Sequence, residues 1–166
     1  MRPTHILTSA ILAASVAATL SLEAAQAPSA TPEDYIVGTW ELNVAKSKYS
    51  PGPGPVSETR TYRRGPNGIE GTIQRRFSDG RSERIEYVAE YDREYPVMGT
   101  AEYDHILMKR MTARTAEAVL SHAGRVYGTA RRVVDDSGKT MTITFKREGS
   151  SGTPISNTAL YEKVEP

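Results

Sequence analysis

The sequence predicts an all-β fold, an antiparallel up-and-down meander of about 8–10 strands closed into a barrel. Three observations predict it. From residue 35 onward no long helical period occurs, while short runs alternate in polarity and are rich in Thr, Val, Ile and Tyr. The breaks between runs carry glycine where a turn needs positive φ: Gly65-Pro66-Asn67-Gly68, Ser78-Asp79-Gly80, Asp136-Ser137-Gly138 and Gly149-Ser150-Ser151-Gly152. The connections are short and sequential, so neighbours in the chain are neighbours in the sheet.

The elements follow in chain order. Arg2 and His5 precede an uncharged stretch, Ile6 to Leu22, and Ala25-Gln26-Ala27 places small residues where a signal peptidase reads them. Residues 1–27 therefore read as a cleaved signal peptide. The stretch is Ala-rich, interrupted by Ser and Thr, and too short for a stable membrane anchor. The protein is expected to be exported, periplasmic or extracellular. Residues 28–34 form a short tether, and residues 35–166 form a single barrel domain. Strands are predicted at Tyr35–Asn43, Ser57–Arg64, Ile69–Phe77, Arg81–Tyr91, His105–Met111, Ala116–His122, Arg125–Asp135, Lys139–Arg147 and Ile155–Val164. Ser50-Pro51-Gly52-Pro53-Gly54-Pro55 suits neither helix nor central strand and is expected as an ordered loop or lid.

Composition narrows the function classes. Lys plus Arg is 21 against 20 for Asp plus Glu, so no basic surplus points to nucleic acid. Arg60, Arg63, Arg64, Arg75 and Arg76 cluster locally, which reads as a solvated strand pair. With no Cys, disulfides, thiolate metal sites and cysteine nucleophiles are excluded. The fold of an exported chain must then rest on its core alone. Tyr dominates the aromatic residues, nine against two Phe and one Trp.

Two hairpins fix expectations of register. A three-residue loop Ser78-Asp79-Gly80 pairs residue 77 with 81. Ile69, Gly71, Ile73, Arg75 and Phe77 then share the inner face with Glu83, Ile85, Tyr87 and Ala89. The same chemistry at Asp135–Lys139 pairs 135 with 139. That register puts Tyr127, Thr129, Arg131 and Val133 inside with Met141, Ile143, Phe145 and Arg147; a one-residue slip exchanges Arg131 for Arg132. Charges on the inner face are costly in a solid core and tolerable in a wet or ligand-filled barrel.

Gly38-Thr39-Trp40, near the start of the first strand, resembles the calycin pattern of lipocalins and fatty-acid-binding proteins, which place a Gly-x-Trp there with the Trp closing one barrel end. Gly38–Asn43, Lys46–Pro53, Tyr91-Asp92, Tyr95–Gly99 and Asp136–Thr142 together resemble small secreted bacterial lipocalin-like proteins of uncharacterised role, over roughly Ile36 to Val164. The resemblance implies a lipocalin-like barrel. Fatty-acid-binding proteins end with Arg-x-Tyr in the last strand; here Tyr161 follows Ala159, so that half of the carboxylate clamp is missing, as is the helical lid.

The leading reading is a binder of a small amphipathic ligand. Its apolar body would lie among Ile73, Ile85, Phe145 and Tyr87, and its polar end would meet Arg131 and Tyr127. Arg75 with Glu83 serves either as a head-group contact or as a cross-strand ion pair. The second reading is a protein-interaction module, an inhibitor or envelope chaperone, using the outer face or Ser50–Pro55. The third is an enzyme. Asp104-His105 and Ser121-His122 would come together if a turn lies at Thr112–Arg114, offering residue types suited to nucleophilic catalysis or metal binding. No nucleophile elbow or His-Glu-x-x-His motif accompanies them, and neither a cofactor nor a resident metal is expected.

Overall fold

Eleven strands and one 3₁₀ turn, Val44–Lys46, make up the computed structural model, which describes residues 34–149 and 152–164. The predicted leader and most of the tether lie outside the described residues, as do Ser150 and Ser151 of the last predicted turn. Nine strands match the nine expected from alternation: β1 (Gly38–Leu42), β3 (Ser57–Gly65), β4 (Gly68–Arg76), β5 (Ser82–Ala89), β7 (His105–Arg110), β8 (Thr115–His122), β9 (Arg125–Val134), β10 (Thr140–Glu148) and β11 (Pro154–Val164). Two three-residue strands, β2 (Lys48–Ser50) and β6 (Glu94–Pro96), were not expected, being too short to show a period.

The strands form one antiparallel sheet in the order β5-β4-β3-β1-β11-β10-β9-β8-β7-β6, with β2 added beside β11. The first and last strands of the meander pair through β1 and β11, where Trp40 lies opposite Lys163. The sheet curls until β5 meets the segment after β6, and there Glu86 and Met98 exchange both backbone hydrogen bonds, at 3.0 and 2.9 Å. The result is a nearly closed barrel.

One barrel end is plugged. Ile36 and Trp40 are fully buried there, and the indole N–H donates to the Ile36 carbonyl at 2.7 Å. Met141, Val134, Ile69 and Ala89 complete the apolar cluster. Asp34, the last residue of the predicted tether, is buried, and its carboxylate receives the Tyr91 hydroxyl at 2.6 Å.

The β4–β5 hairpin has the expected register: Arg75 faces Glu83, Ile73 faces Ile85 and Gly71 faces Tyr87. Its loop closes with Phe77 N–H on the Arg81 carbonyl. The β9–β10 register differs from expectation by one residue, because Met141 pairs with Val134 and Asp135 N–H meets the Thr140 carbonyl. The cause is the Asp135 carboxylate. It accepts the backbone N–H groups of Lys139 and Thr140 and the Ser137 hydroxyl, so four residues rather than three are held in the loop. The inner face of β9 is consequently Val134, Arg132, Ala130 and Gly128. Arg131 points outward and pairs with Glu117 at 2.7 Å on the exposed face.

Closure has a testable weak point. Gly99 has φ +86°, and an added Cβ would overlap the Arg84 backbone carbonyl of β5, whereas Gly80, at φ +88°, has open space around it. Gly80→Ala is expected to cost about 1 kcal/mol for the left-handed backbone alone. Gly99→Ala is expected to cost on the order of 3 kcal/mol, because β5 and the segment after β6 must also separate. Denaturant unfolding of the two variants measures the difference; equal losses would mean that this closing contact is not tight.

Candidate functional site

Small residues on one side of the barrel leave a hollow. Ala116, Ala118 and Ala130 face inward where larger side chains would fill the centre, and Gly128 lets the Phe145 ring lie against the backbone. The cavity so formed has a volume of about 370 Å³, at the low end for a small-molecule site. Its opposite wall is tyrosine: Tyr49, Tyr62, Tyr87 and Tyr161 all line it. Pro51, Pro53, Gly54 and Pro55 border the cavity, so the predicted loop sits at the mouth.

Four of the five residues singled out as ligand contacts meet in this cavity: Arg75, Tyr87, Tyr127 and Phe145. The fifth, Arg131, does not, and its neighbour Arg132 takes the inward position. Tyr127 nevertheless faces in. A β-bulge between Leu120/Ser121 and Gly128/Val126 leaves Tyr127 as the extra residue, which reverses the alternation between it and Arg131. Of the expected apolar body, Ile73 and Phe145 line the cavity, while Ile85 is buried within the wall.

Near the mouth, Tyr103, Tyr127 and Phe145 form a tilted aromatic series with centroid separations of 5.9 and 6.1 Å. Arg147 lies over the Tyr127 ring at 4.8 Å. Arg75 donates to Glu83 at 2.7 Å and to Glu102 at 2.9 Å, so its charge is fully compensated. The cross-strand ion-pair reading therefore describes Arg75.

Deeper in, sequence reasoning missed an ionic cluster. Arg60, expected on a solvated face, points into the barrel and donates through Nε to Glu58, whose side chain is 3% exposed. Tyr161 donates its hydroxyl to the same carboxylate oxygen at 2.7 Å, and Arg60 donates to the Tyr62 hydroxyl oxygen at 3.3 Å. The signal lay in strand β3, where Tyr62 shares its parity with Glu58 and Arg60 while the other face carries Ser57, Thr59 and Thr61. At the floor, Arg132 donates to the Tyr91 hydroxyl oxygen at 3.1 Å, and Tyr91 in turn donates to Asp34. Arg110 meets the same Asp34 carboxylate at 3.1 Å.

Burial governs the tyrosine hydroxyls. It pushes Tyr103 up to about 12, and burial followed by the nearby Glu58 charge does the same for Tyr49. Burial also raises Tyr87 and Tyr161 well above the ordinary phenol value. Tyr49, Tyr87, Tyr103 and Tyr161 thus present neutral hydroxyls at any physiological pH.

The histidine end is assembled differently from a catalytic triad. The turn at Thr112–Arg114 forms, and His105 lies opposite Ser121. Asp104 contacts His105 Nδ1 at 2.9 Å and stands 4.0 Å from His122 Nδ1. The Ala123 N–H and then His105 hold the Asp104 carboxyl below its ordinary range. The Ser121 hydroxyl, however, donates to Glu94 at 3.1 Å rather than to a histidine. Among the described residues no group of three or more His, Cys, Asp or Glu is placed to hold a metal ion.

No protein-family model matches the chain, and no curated protein is significantly similar to it in sequence.

Two outcomes follow from the interior charges. Glu58→Gln leaves Arg60 buried against a neutral partner and is expected to destabilise by roughly 3–5 kcal/mol, with the double change Glu58→Gln plus Arg60→Met recovering part of the loss. A thermodynamic cycle from denaturant unfolding reads this directly. For the tyrosines, the unfolded chain releases phenolic protons near 10 whereas Tyr49 and Tyr103 hold theirs to about 12. The unfolded state therefore binds fewer protons in that window, and stability falls as pH rises from about 10 to about 12. Tyrosinate absorbance should titrate in two groups, the later one coinciding with the loss of stability.

Proposed function

We propose that this chain is a lipocalin-like binder of a small amphipathic ligand that works after export, with the ligand in the barrel cavity. The observation that carries the reading is the cavity itself: about 370 Å³, apolar on the side of Ala118, Ala130 and Ile143, hydroxyl-lined on the other, and bordered by an ordered loop at one end. An enclosed apolar surface with polar groups that can fix orientation is what a small-molecule site requires. A solid interior would have favoured the protein-interaction reading instead. Barrels of this architecture serve many roles, so the site and not the fold supports the proposal.

Mechanistically, the ligand enters past Pro51–Pro55 and the aromatic series at Tyr103, Tyr127 and Phe145. Burial of its apolar part against the alanine wall supplies affinity in proportion to the area removed from water. The neutral tyrosine hydroxyls fix its orientation, each offering a donor and an acceptor without a charge to desolvate.

Native mass spectrometry of the protein recovered from its own host's envelope or medium tests both parts. The expected result is a chain starting at Pro28 that carries a small molecule. Ala130→Phe places a ring in the hollow and is expected to abolish binding of the fluorescent apolar probe N-phenylnaphthylamine while leaving the circular dichroism spectrum unchanged. Undiminished probe binding by a folded Ala130→Phe variant would place the probe elsewhere and remove the reading.

A further inference from the structure

Two guanidinium groups that line the inner part of the cavity, Arg60 and Arg132, differ in how they are neutralised. Arg60 has Glu58 in direct contact, and Arg60 also lies over the Tyr161 ring at 5.1 Å. Arg132 has no carboxylate at ion-pair distance among the described residues. It uses one N–H on the Tyr91 hydroxyl oxygen and lies over the Tyr62 ring at 5.8 Å. The nearest link to a carboxylate runs through Tyr91 to Asp34, which Arg110 also engages. A guanidinium carries five donors in a planar fork, so Arg132 keeps most of its capacity for whatever occupies the cavity.

Its surroundings are arranged as a receptor for one negative charge. Tyr62 accepts from Arg60, which leaves its own hydroxyl hydrogen to donate, and Tyr62 and Tyr87 line the same cavity. Arg147, at the mouth, also lacks a carboxylate partner among the described residues, but it is stacked on Tyr127. Of the carboxylates that border the cavity, Glu58 and Glu102 are held by Arg60 and Arg75, and Glu117 pairs with Arg131 on the exposed face. None is left to neutralise Arg132.

Resting on the reading of the cavity as a ligand site, we propose that the ligand is a monoanion, a carboxylate on an apolar body, bound head-first with its carboxylate on Arg132 and its apolar end toward Phe145 and the mouth. The Arg132 charge calls for one negative charge beside it, and the planar fork matches a carboxylate in two contacts. The apolar residues that follow from floor to mouth, Ile143 and then Phe145, lie along β10 in the direction the body would take.

The test compares two probes of equal length, dodecanoate and dodecanol, each displacing N-phenylnaphthylamine at neutral pH from the full exported chain. The expected result is tighter binding of dodecanoate by roughly tenfold to a hundredfold, as for a hydrogen bond to a charged group. Arg132→Met should bring dodecanoate down to the level of dodecanol and leave dodecanol unchanged, whereas Arg147→Met should keep the preference. Equal binding of the two probes by the unaltered protein would overturn the head-group assignment while the cavity reading stands, and this comparison needs no variant to fold. Loss of the preference in Arg147→Met instead would move the anion to the mouth and overturn it likewise. Failure of both probes to displace N-phenylnaphthylamine, or of that dye to bind at all, would overturn the proposal together with the cavity reading.

Discussion

A charge inside a β-barrel must find its partner across the wall, and in this protein Glu58 is the group on which that arrangement turns. It takes a guanidinium from its own strand and a hydroxyl from β11 on one buried carboxylate oxygen. Strand β11 lies between β1 and β10, two places from β3 in the sheet order, so the contact crosses the interior and not merely a neighbouring ladder. Removing water from such a group costs several kcal/mol unless its hydrogen bonds are replaced. The tyrosines replace them. That is why the interior carries so many tyrosines and so few phenylalanines: each ring fills volume as an apolar body, and each hydroxyl supplies a donor and an acceptor to a charged neighbour.

The same constraint shapes the hollow. Side chains large enough to reach the ionic cluster come from β3, β5 and β11, and the facing strands β8 and β9 answer with Ala116, Ala118 and Ala130. A uniformly large set would overpack the centre. A uniformly small one would leave Glu58 and Arg60 open to water and lose the apolar contacts that hold the wall. The division into a tyrosine side and an alanine side leaves a space that is apolar on one face and hydroxyl-lined on the other. The floor is shut by Trp40 and Ile36, whose mutual hydrogen bond satisfies the indole in a fully buried position. The cavity lies open toward the opposite end, where the proline-rich loop and the aromatic series border it.

How much was legible depended on what each hairpin used to set its length. At Ser78-Asp79-Gly80 the glycine alone decides the turn, and the whole inner face of β4 and β5 follows from it, including the Arg75–Glu83 pair. At Asp135–Thr140 a side chain decides. Asp135 caps two backbone N–H groups, the loop gains a residue, and Arg132 replaces Arg131 inside. Both faces of β9 carry an arginine and a valine, so polarity gave no means to choose between them. Tyr127 was assigned correctly to the interior for a reason the alternation does not contain, since the bulge beside Leu120 turns it inward.

By itself the sequence determined the class of fold, nearly every strand, the register of the β4–β5 hairpin and most of the cavity's aromatic lining. These rest on local chemistry, the period of two along a strand and the glycines and prolines that break it, and local chemistry is written in adjacent residues. The tertiary structure alone decided which arginine meets the cavity, that Glu58 and Arg60 form a buried pair, and that β5 meets the segment after β6 through Glu86 and Met98. Each of those depends on how strands far apart in the chain come to face one another. A charged residue on a strand reads as solvent-facing until a distant partner compensates it, and no local pattern records that partner's position.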